Sequence, residues 1–223
     1  MTDLLCLNSI RGKSGKDTLI GLLESEGRKV FRVAFADVLK EMCAQVLAGG
    51  PGAIAAAFQS DMHKSKKDHA QSSLSALNIA RTSYSYWLLK NVLTTETEAR
   101  APRSLRWHLQ TFGTQYHREY LGKPDIWFDL GMKEVRQGLE DSSYDHVVVT
   151  DMRMPNEYKG LLYVPQVKTI RIVRDWFIPG VDDQPYHISD IALMAHPFDA
   201  LVVNRLGEPW AMLDQLKEQG VIK

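Results

Sequence analysis

The chain has 223 residues with 27 basic and 27 acidic side chains, so its formal net charge is zero at neutral pH. Hydrophobic residues make up 44% of it and charged residues 24%, a composition typical of globular proteins that excludes an intrinsically disordered chain. Without excess positive charge, the protein is not expected to coat nucleic acid or an anionic membrane, although a local basic pocket is compatible with this balance.

Two cysteines, Cys6 and Cys43, lie in apolar runs without metal-ligand spacing. Buried free thiols of a reducing compartment are the favoured interpretation, and a single disulfide is the alternative. The sequence lacks the build of a signal peptide, and no stretch reaches about 18 consecutive apolar residues. We therefore expect a soluble, cytoplasmic protein without a membrane partner.

The hydrophobic pattern of the first 48 residues predicts strand, helix, strand and helix in that order. The strands are predicted at 4–7 and 29–35, and the helices at 17–23 and 37–48. From about 53 to 140 the sequence contains helical segments and no convincing strand. We interpret that stretch as a helical insertion.

Strands return in the last part of the chain. Short β-branched runs predict strands at 145–150, 167–173 and 200–203, and a closing helix is predicted at 208–219. Because strands that alternate with helices form parallel sheets covered on both faces, the predicted fold class is α/β, a parallel sheet flanked by helices. We expect one domain over residues 1–223, with the insertion over the carboxyl edge of the sheet.

The most specific signal is the loop between the first strand and the first helix, where residues 8–18 read NSIRGKSGKDT. In a phosphate-binding loop, successive backbone amides and a helix N-terminus form a concavity, and a lysine reaches the terminal phosphates. The pattern assigns phosphate binding, which the resemblance described below makes ATP binding, to Arg11, Gly12, Lys13, Ser14, Gly15, Lys16, Asp17 and Thr18. The alternative is a glycine-containing turn that merely precedes a helix.

Two positions depart from the usual phosphate loop. Ile10 stands where glycine is usual, and Asp17 stands where Ser or Thr usually binds magnesium. A carboxylate suits Mg²⁺, which prefers oxygen ligands and keeps several waters. Asp17 and Thr18 are therefore the candidate metal ligands.

Asp151 and Arg153 follow the strand predicted at 145–150. Ligands of open parallel sheets bind beyond the carboxyl ends of the strands, so both side chains are expected to face the same crevice as the loop. Asp151 could hold metal or water, or accept a substrate hydroxyl, and Arg153 could grip a phosphate with two hydrogen bonds. The alternative is a turn with an internal Asp–Arg ion pair.

Positive charge and aromatic rings concentrate in one segment of this neutral chain. Residues 100–123 contain five Arg and Lys residues and a single acid, Glu119, and the segment also holds Trp107 and Gln110. Rings that stack on a base, an amide that reads its edge and arginines for a phosphate together indicate a nucleotide pocket. Singly, each has a simpler interpretation, as a core tryptophan or a solvated charged face.

The motifs, in their order, resemble those of bacteriophage deoxynucleoside monophosphate kinases, which are P-loop nucleotide kinases. The matching segments are the loop itself, FADVLK at 35–40, QTFGT at 110–114, DIW at 125–127, TDMRMPNE at 150–157, HISD at 187–190 and the tail at 199–207. The resemblance implies that the protein transfers the γ-phosphoryl group of ATP, with Mg²⁺, to a deoxynucleoside 5′-monophosphate. It also implies a possible homodimer, located in the host cytoplasm if phage-encoded.

The resemblance also implies roles for individual residues. The implied monophosphate site contains Asp37, Lys40, Arg106, Gln110, Gly113, Thr114, Arg118, Trp127, Asp151, Arg153, Asn156 and Glu157. Asn204 would lie near the adenine. The predicted catalytic residues are Lys16, Asp151, Arg153 and Arg174. Arg174 is predicted from the sequence itself, because it begins a Pro- and Gly-containing segment suited to a lid at about 174–195, and the alternative is a surface loop with an exposed arginine.

Three other functions are compatible with the same residues. The first is a kinase of another phosphorylated small molecule, since phosphomevalonate kinases of the animal type have a similar loop. The second is a P-loop ATPase switch that transfers phosphate only to water. The third, prompted by Ile10, is a loop that binds nucleotide without turnover.

Overall fold

The computed structural model of the chain describes residues 2–48, 75–79, 81–183, 185–186 and 188–223, with Ala48, Asn78 and Arg106 described for their backbone alone. These residues form two compact units, residues 1–35 together with 128–223, and residues 36–127. The insertion predicted at 53–140 overlaps the second unit, and its residues 53–74 lie outside the described residues.

The described strands form one all-parallel sheet. They are β1 (Asp3–Asn8), β2 (Val30–Val33), β3 (His146–Val149), β4 (Val167–Arg174) and β5 (Ala200–Asn204), in the spatial order β2-β3-β1-β4-β5. The described helices are α1 (Lys16–Ser25), α2 (Phe35–Ala48), α3 (Ser83–Asn91), α4 (Glu96–Arg100), α5 (Leu105–Gln110), α6 (Ile126–Glu140), α7 (Pro155–Leu161), α8 (Ile188–Ile191) and α9 (Ala211–Glu218), with a 3₁₀ turn at Ala76–Asn78 and a π-helical segment at Thr111–Tyr120.

Each face of the sheet carries its own hydrophobic core. Leu5 and Leu7 of β1 belong to a cluster with apolar side chains of α1 and α9, whereas Leu4 and Cys6 belong to a cluster with side chains of α6 and α7. This alternation follows from the two-residue period of a strand. A parallel sheet covered on both faces is the predicted α/β fold, which is confirmed and is compatible with a P-loop NTPase architecture.

The strand predicted at 29–35 is shorter than expected, because β2 ends at Val33 and Phe35 begins α2. The backbone N–H of Phe35 donates to Asp151 Oδ1 at 2.9 Å, and the Phe35 ring packs in the core beside Phe128. The placement of Phe35 in the strand was wrong, because alternation alone does not indicate where the chain leaves the sheet.

The outer edge of β5 is covered by two glutamine side chains of α9. Gln215 bonds both to the N–H of Val203, at 2.8 Å, and to its carbonyl oxygen, at 2.9 Å. Gln219 makes the same pair of bonds to Leu201, at 3.2 and 3.0 Å. The two amides thus satisfy backbone groups that an edge strand otherwise exposes.

The second unit contains helices and no strand among its described residues, as the sequence predicts. Its interior holds a cluster of aromatic rings from α3, the π-helical segment and the start of α6, namely Tyr84, Trp87, Phe112, Tyr116 and Trp127. Cys43 of α2 is a buried free thiol, as is Cys6 of the first unit, so the thiol interpretation is confirmed. None of the described helices combines the length and apolar character needed to cross a bilayer.

Candidate phosphate-binding site

The loop predicted to bind phosphate leaves the carboxyl end of β1, the central strand of the sheet, and leads directly into α1. Because the sheet is parallel, the segments after β3, β4 and β5 emerge at the same edge. Asp151 and Arg153 follow β3, and Arg174 and Asn204 are the last residues of β4 and β5. The fold of the first unit therefore brings these predicted site residues to the edge that carries the loop.

The loop backbone contains two residues in the left-handed conformation, Lys13 with φ 57° and Gly15 with φ 99°. Alternation of right- and left-handed residues points successive N–H groups into one concavity, which is a common anion site. Two serine hydroxyls reinforce this turn, because Ser9 Oγ and Ser14 Oγ both donate to the carbonyl oxygen of Arg11, at 2.9 and 2.7 Å. The local geometry is thus suited to bind a phosphate.

Lys16 is the first residue of α1, and its ammonium group donates to Ser9 Oγ. Burial lowers the pKa of Lys16 from 10.5 to about 8, and the positive charge of Arg153 acts in the same direction. The carboxylates of Asp151, Asp17 and Asp190 oppose that change. Lys16 is consequently still protonated at neutral pH, in an environment that disfavours its charge and that an anion would relieve.

The turn after β3 is fixed by hydrogen bonds to a side chain of α7, the helix that follows it. Glu157 is buried, and its Oε2 accepts hydrogen bonds from the backbone N–H groups of Arg153 at 2.8 Å and Met154 at 3.0 Å. Pro155 and Glu157, at the first and third positions of α7, form a typical helix start. Glu157, predicted to bind the monophosphate, therefore has an observed role in fixing the backbone of Arg153.

The Arg153 side chain pairs with Asp190 of α8, with Nη1 and Oδ1 2.9 Å apart. Asp151 accepts the N–H of Phe35, as described above. Both side chains contribute to the electrostatics of Lys16, which supports a shared site.

Arg174 is engaged within the predicted lid. Its guanidinium makes two 2.7 Å hydrogen bonds to the carboxylate of Asp182 and a third, of 2.6 Å, to the carbonyl oxygen of Trp176. Arg11 of the loop donates to the carbonyl oxygen of Asp182 at 3.1 Å and lies over the ring of Tyr186. The two hydrogen bonds from Arg174 to the carboxylate of Asp182 lower the pKa of that carboxylate to about 2. The segment that follows β4 is therefore bonded to the loop.

Asn204 is 4% exposed and contacts the loop directly, since its Nδ2 donates to the carbonyl oxygen of Ser14 at 3.2 Å. A Cβ atom on Gly15 would lie 2.3 Å from that same nitrogen. Gly15 is thus required both by its left-handed φ and by the lack of space. The structure places Asn204 beneath the loop, whereas the resemblance implies a position near adenine.

The predicted metal ligands lie at the start of α1. Asp17 and Thr18 are both exposed, and the carboxylate of Asp17 is 3.9 Å from Arg32. Among the described residues, no group of three or more His, Cys, Asp or Glu side chains is arranged to hold a metal. One accessible carboxylate and one hydroxyl fit an ion such as Mg²⁺, which takes few protein ligands and completes its shell with water and phosphate oxygens.

The other predicted monophosphate residues belong mostly to the helical unit. Gly113 is buried against Leu39, and its carbonyl oxygen accepts the indole N–H of Trp127 at 3.1 Å. Trp127 is itself 3% exposed, which corresponds to the core interpretation of that residue. Lys40 forms an ion pair with Asp37 one turn earlier in α2.

The remaining polar residues of that set differ in exposure. Gln110 and Thr114 are exposed, and Arg118 is half-buried. Arg118 Nε is buried without a hydrogen-bond partner in the described part of the chain. Asn156 is partly buried in the first turn of α7, and the side chain of Arg106 lies outside the described residues.

Four residues beside the loop were missed by the sequence interpretation, namely Ser9, Asp182, Tyr186 and Arg171. Arg171 Nε donates to Asn8 Oδ1 at 3.3 Å, and Asn8 Nδ2 donates to the carbonyl oxygen of Met152. Ser9 lies inside the loop motif, and Asp182 and Tyr186 lie inside the predicted lid at 174–195, whereas no motif pointed to Arg171. Comparison with known proteins adds no further residue, since no protein-family model and no curated protein matches the chain.

Proposed function

We propose that the protein is an ATP-dependent deoxynucleoside monophosphate kinase, which transfers the γ-phosphoryl group of ATP to a deoxynucleoside 5′-monophosphate. The observation that carries the proposal is the loop between β1 and α1, with left-handed Gly15 and with Lys16 electrostatically coupled to Arg153 and Asp151. Of the possible acceptors, a nucleotide is favoured by the resemblance described above and by the basic, aromatic segment at 100–123.

Phosphoryl transfer requires positioning and charge neutralisation more than covalent catalysis. The bond between the γ-phosphorus and its bridging oxygen breaks, a bond forms to a phosphate oxygen of the acceptor, and ADP leaves. That acceptor oxygen is already anionic near neutral pH, so no general base is needed. When bound with ATP, Mg²⁺ supplies charge neutralisation between the phosphates.

In this mechanism Lys16 contacts the transferred group from the loop side. Arg153, whose backbone Glu157 fixes, binds the acceptor phosphate, and Asp151 orients the acceptor. Arg174 supplies a further positive charge if its bonds to Asp182 are exchanged for bonds to phosphate. Asp17 and Thr18 are the residues that would hold Mg²⁺.

The role of Lys16 can be tested by replacing it with alanine. Loss of one positioned donor for the transferred phosphate is expected to lower kcat on the order of 100-fold or more, without loss of the folded state. The measurement is ADP formation from ATP that depends on an added deoxynucleoside monophosphate, with thermal unfolding to verify that the variant is folded. Lys217→Ala is the matched control, because that lysine lies on α9 and pairs with Glu26. Equal kcat values for Lys16→Ala and the control would refute the assigned role.

A further inference from the structure

The carboxamide of Asn204 has an unusual set of contacts for a buried group. Its Nδ2 donates to the carbonyl oxygen of Ser14, whereas its Oδ1 is buried and has no hydrogen-bond partner among the described residues. A buried acceptor without a donor is costly, and proteins usually avoid it. Asn204 therefore makes its hydrogen bond to Ser14 at the cost of one unsatisfied buried acceptor.

The hydrogen bond fixes more than the oxygen that accepts it. A trans peptide is planar, so the carbonyl of Ser14 and the N–H of Gly15 point in opposite directions. Because Asn204 holds the carbonyl toward β5, the N–H of Gly15 points away from β5. Asn204 also packs closely against Gly15, since a Cβ atom on that glycine would lie 2.3 Å from Asn204 Nδ2.

We propose that Asn204 is a positioning residue of the phosphate loop, which orients the Gly15 N–H so that it donates to a bound phosphate. The inference rests on the proposed function in one respect, that the phosphate is part of ATP. It differs from an adenine contact, because Asn204 acts through the Ser14–Gly15 peptide.

The chemistry of the side chain makes the inference specific. Leucine has the same branched arrangement of four side-chain heavy atoms as asparagine but cannot donate, so Asn204→Leu removes the orphaned Oδ1 and leaves the carbonyl of Ser14 without its donor. One unsatisfied acceptor replaces another, and stability is expected to change little. Aspartate places a carboxylate against that carbonyl, which repels it, and adds negative charge beneath the phosphate.

The test measures ATP binding and inorganic triphosphate binding by calorimetry, together with thermal unfolding. Asn204→Leu is expected to weaken both ligands about tenfold, the value of one well-placed hydrogen bond, with little change in the unfolding midpoint. Asn204→Asp is expected to weaken them further. Gln166→Glu is the charge-matched control, since this exposed residue precedes β4 at the opposite edge of the sheet.

A purely structural role would lower stability and affinity together, and wild-type affinity in Asn204→Leu would likewise overturn the inference. Weakened ATP binding with unchanged triphosphate binding would overturn it in favour of an adenine contact. Absence of ATP binding by the wild-type protein would instead refute the proposed function and, with it, this inference. The two failures are thus distinguished by the wild-type measurement.

A double-mutant cycle gives an independent test. Gly15→Ala suffers both from its left-handed φ and from the collision with Asn204. In an Asn204→Ala background the collision is absent and only the φ penalty remains. The two substitutions are therefore expected to be less damaging to triphosphate affinity together than the sum of their separate effects. Strict additivity would contradict the contact on which the inference depends.

Discussion

The loop between β1 and α1, the candidate phosphate-binding loop, depends on a few residues whose identities have physical causes. Gly15 adopts a left-handed φ in a space that admits no Cβ, and Lys16 is held in surroundings that lower its pKa to about 8. Such a lysine is a net cost to folding, because its charge has been taken out of water. Retention of that cost is typical of functional sites.

This cost predicts a stabilising variant. Because the pKa of Lys16 is lower in the folded than in the unfolded chain, the unfolded chain binds more protons between about pH 8 and 10.5. The buried lysine therefore destabilises the fold fully below pH 8 and not at all well above pH 10.5. Lys16→Met keeps the apolar stem and is expected to raise the free energy of unfolding by about 1–3 kcal/mol at pH 7. The gain should disappear as the pH approaches 10.5, and a gain that is constant with pH would contradict the explanation.

For Asp182 we expect the opposite pH dependence, a contribution to stability that is lost at low pH. Its pKa is lowered to about 2 by the hydrogen bonds with Arg174, so the stability it contributes is present above about pH 4 and is lost toward pH 2. Asp182→Asn is expected to lower the unfolding midpoint at neutral pH, with a difference from wild type that shrinks as the pH falls from about 4 through 2. Asp183→Asn, whose carboxylate accepts the N–H of Gly180, is the neighbouring control. A difference that stays constant between pH 4 and pH 2 would be incompatible with this ion pair.

At the scale of the elements, the hydrophobic pattern was sufficient for the sheet. β-branched runs predicted β3 and β4 to within a residue or two. Strands buried on both faces of a parallel sheet consist of nearly continuous hydrophobic residues, which makes them recognisable in a sequence. The end of β2 was not predictable, since it depends on Asp151, which is 116 residues away from Phe35. The start of α7, in contrast, had a readable signal in Pro155 and Glu157.

The edge of β5 supplies a prediction at this scale. Gln215 and Gln219 satisfy the N–H and carbonyl groups of Val203 and Leu201. The double substitution to alanine exposes that edge and is expected to lower the free energy of unfolding by about 1–2 kcal/mol. It should also produce concentration-dependent association, measurable by light scattering, since unpaired edges recruit other strands. Gln166→Ala is the control, and an unchanged monomer fraction with unchanged stability would contradict this role.

At the scale of the whole molecule, the zero net charge conceals an uneven distribution of charged residues along the chain. Positive charge concentrates at 100–123, where Arg118 Nε is buried without a hydrogen-bond partner among the described residues. The loop at 8–18 is local in sequence, so its position between β1 and α1 was predictable. The bonds of Asn204 to Ser14 and of Arg11 to Asp182 were not, because they join residues more than 170 positions apart.

The central claim is that the loop transfers phosphate to a nucleotide acceptor, and acceptor dependence tests it most directly. The measurement is ADP formation from ATP and Mg²⁺ with dAMP, dGMP, dCMP, dTMP or their ribose counterparts added singly, against a reaction without acceptor. We predict rapid ADP formation with at least one deoxynucleotide, accompanied by an equal amount of its diphosphate, and slow formation without acceptor. ADP formation at the same rate with and without every acceptor would contradict the account.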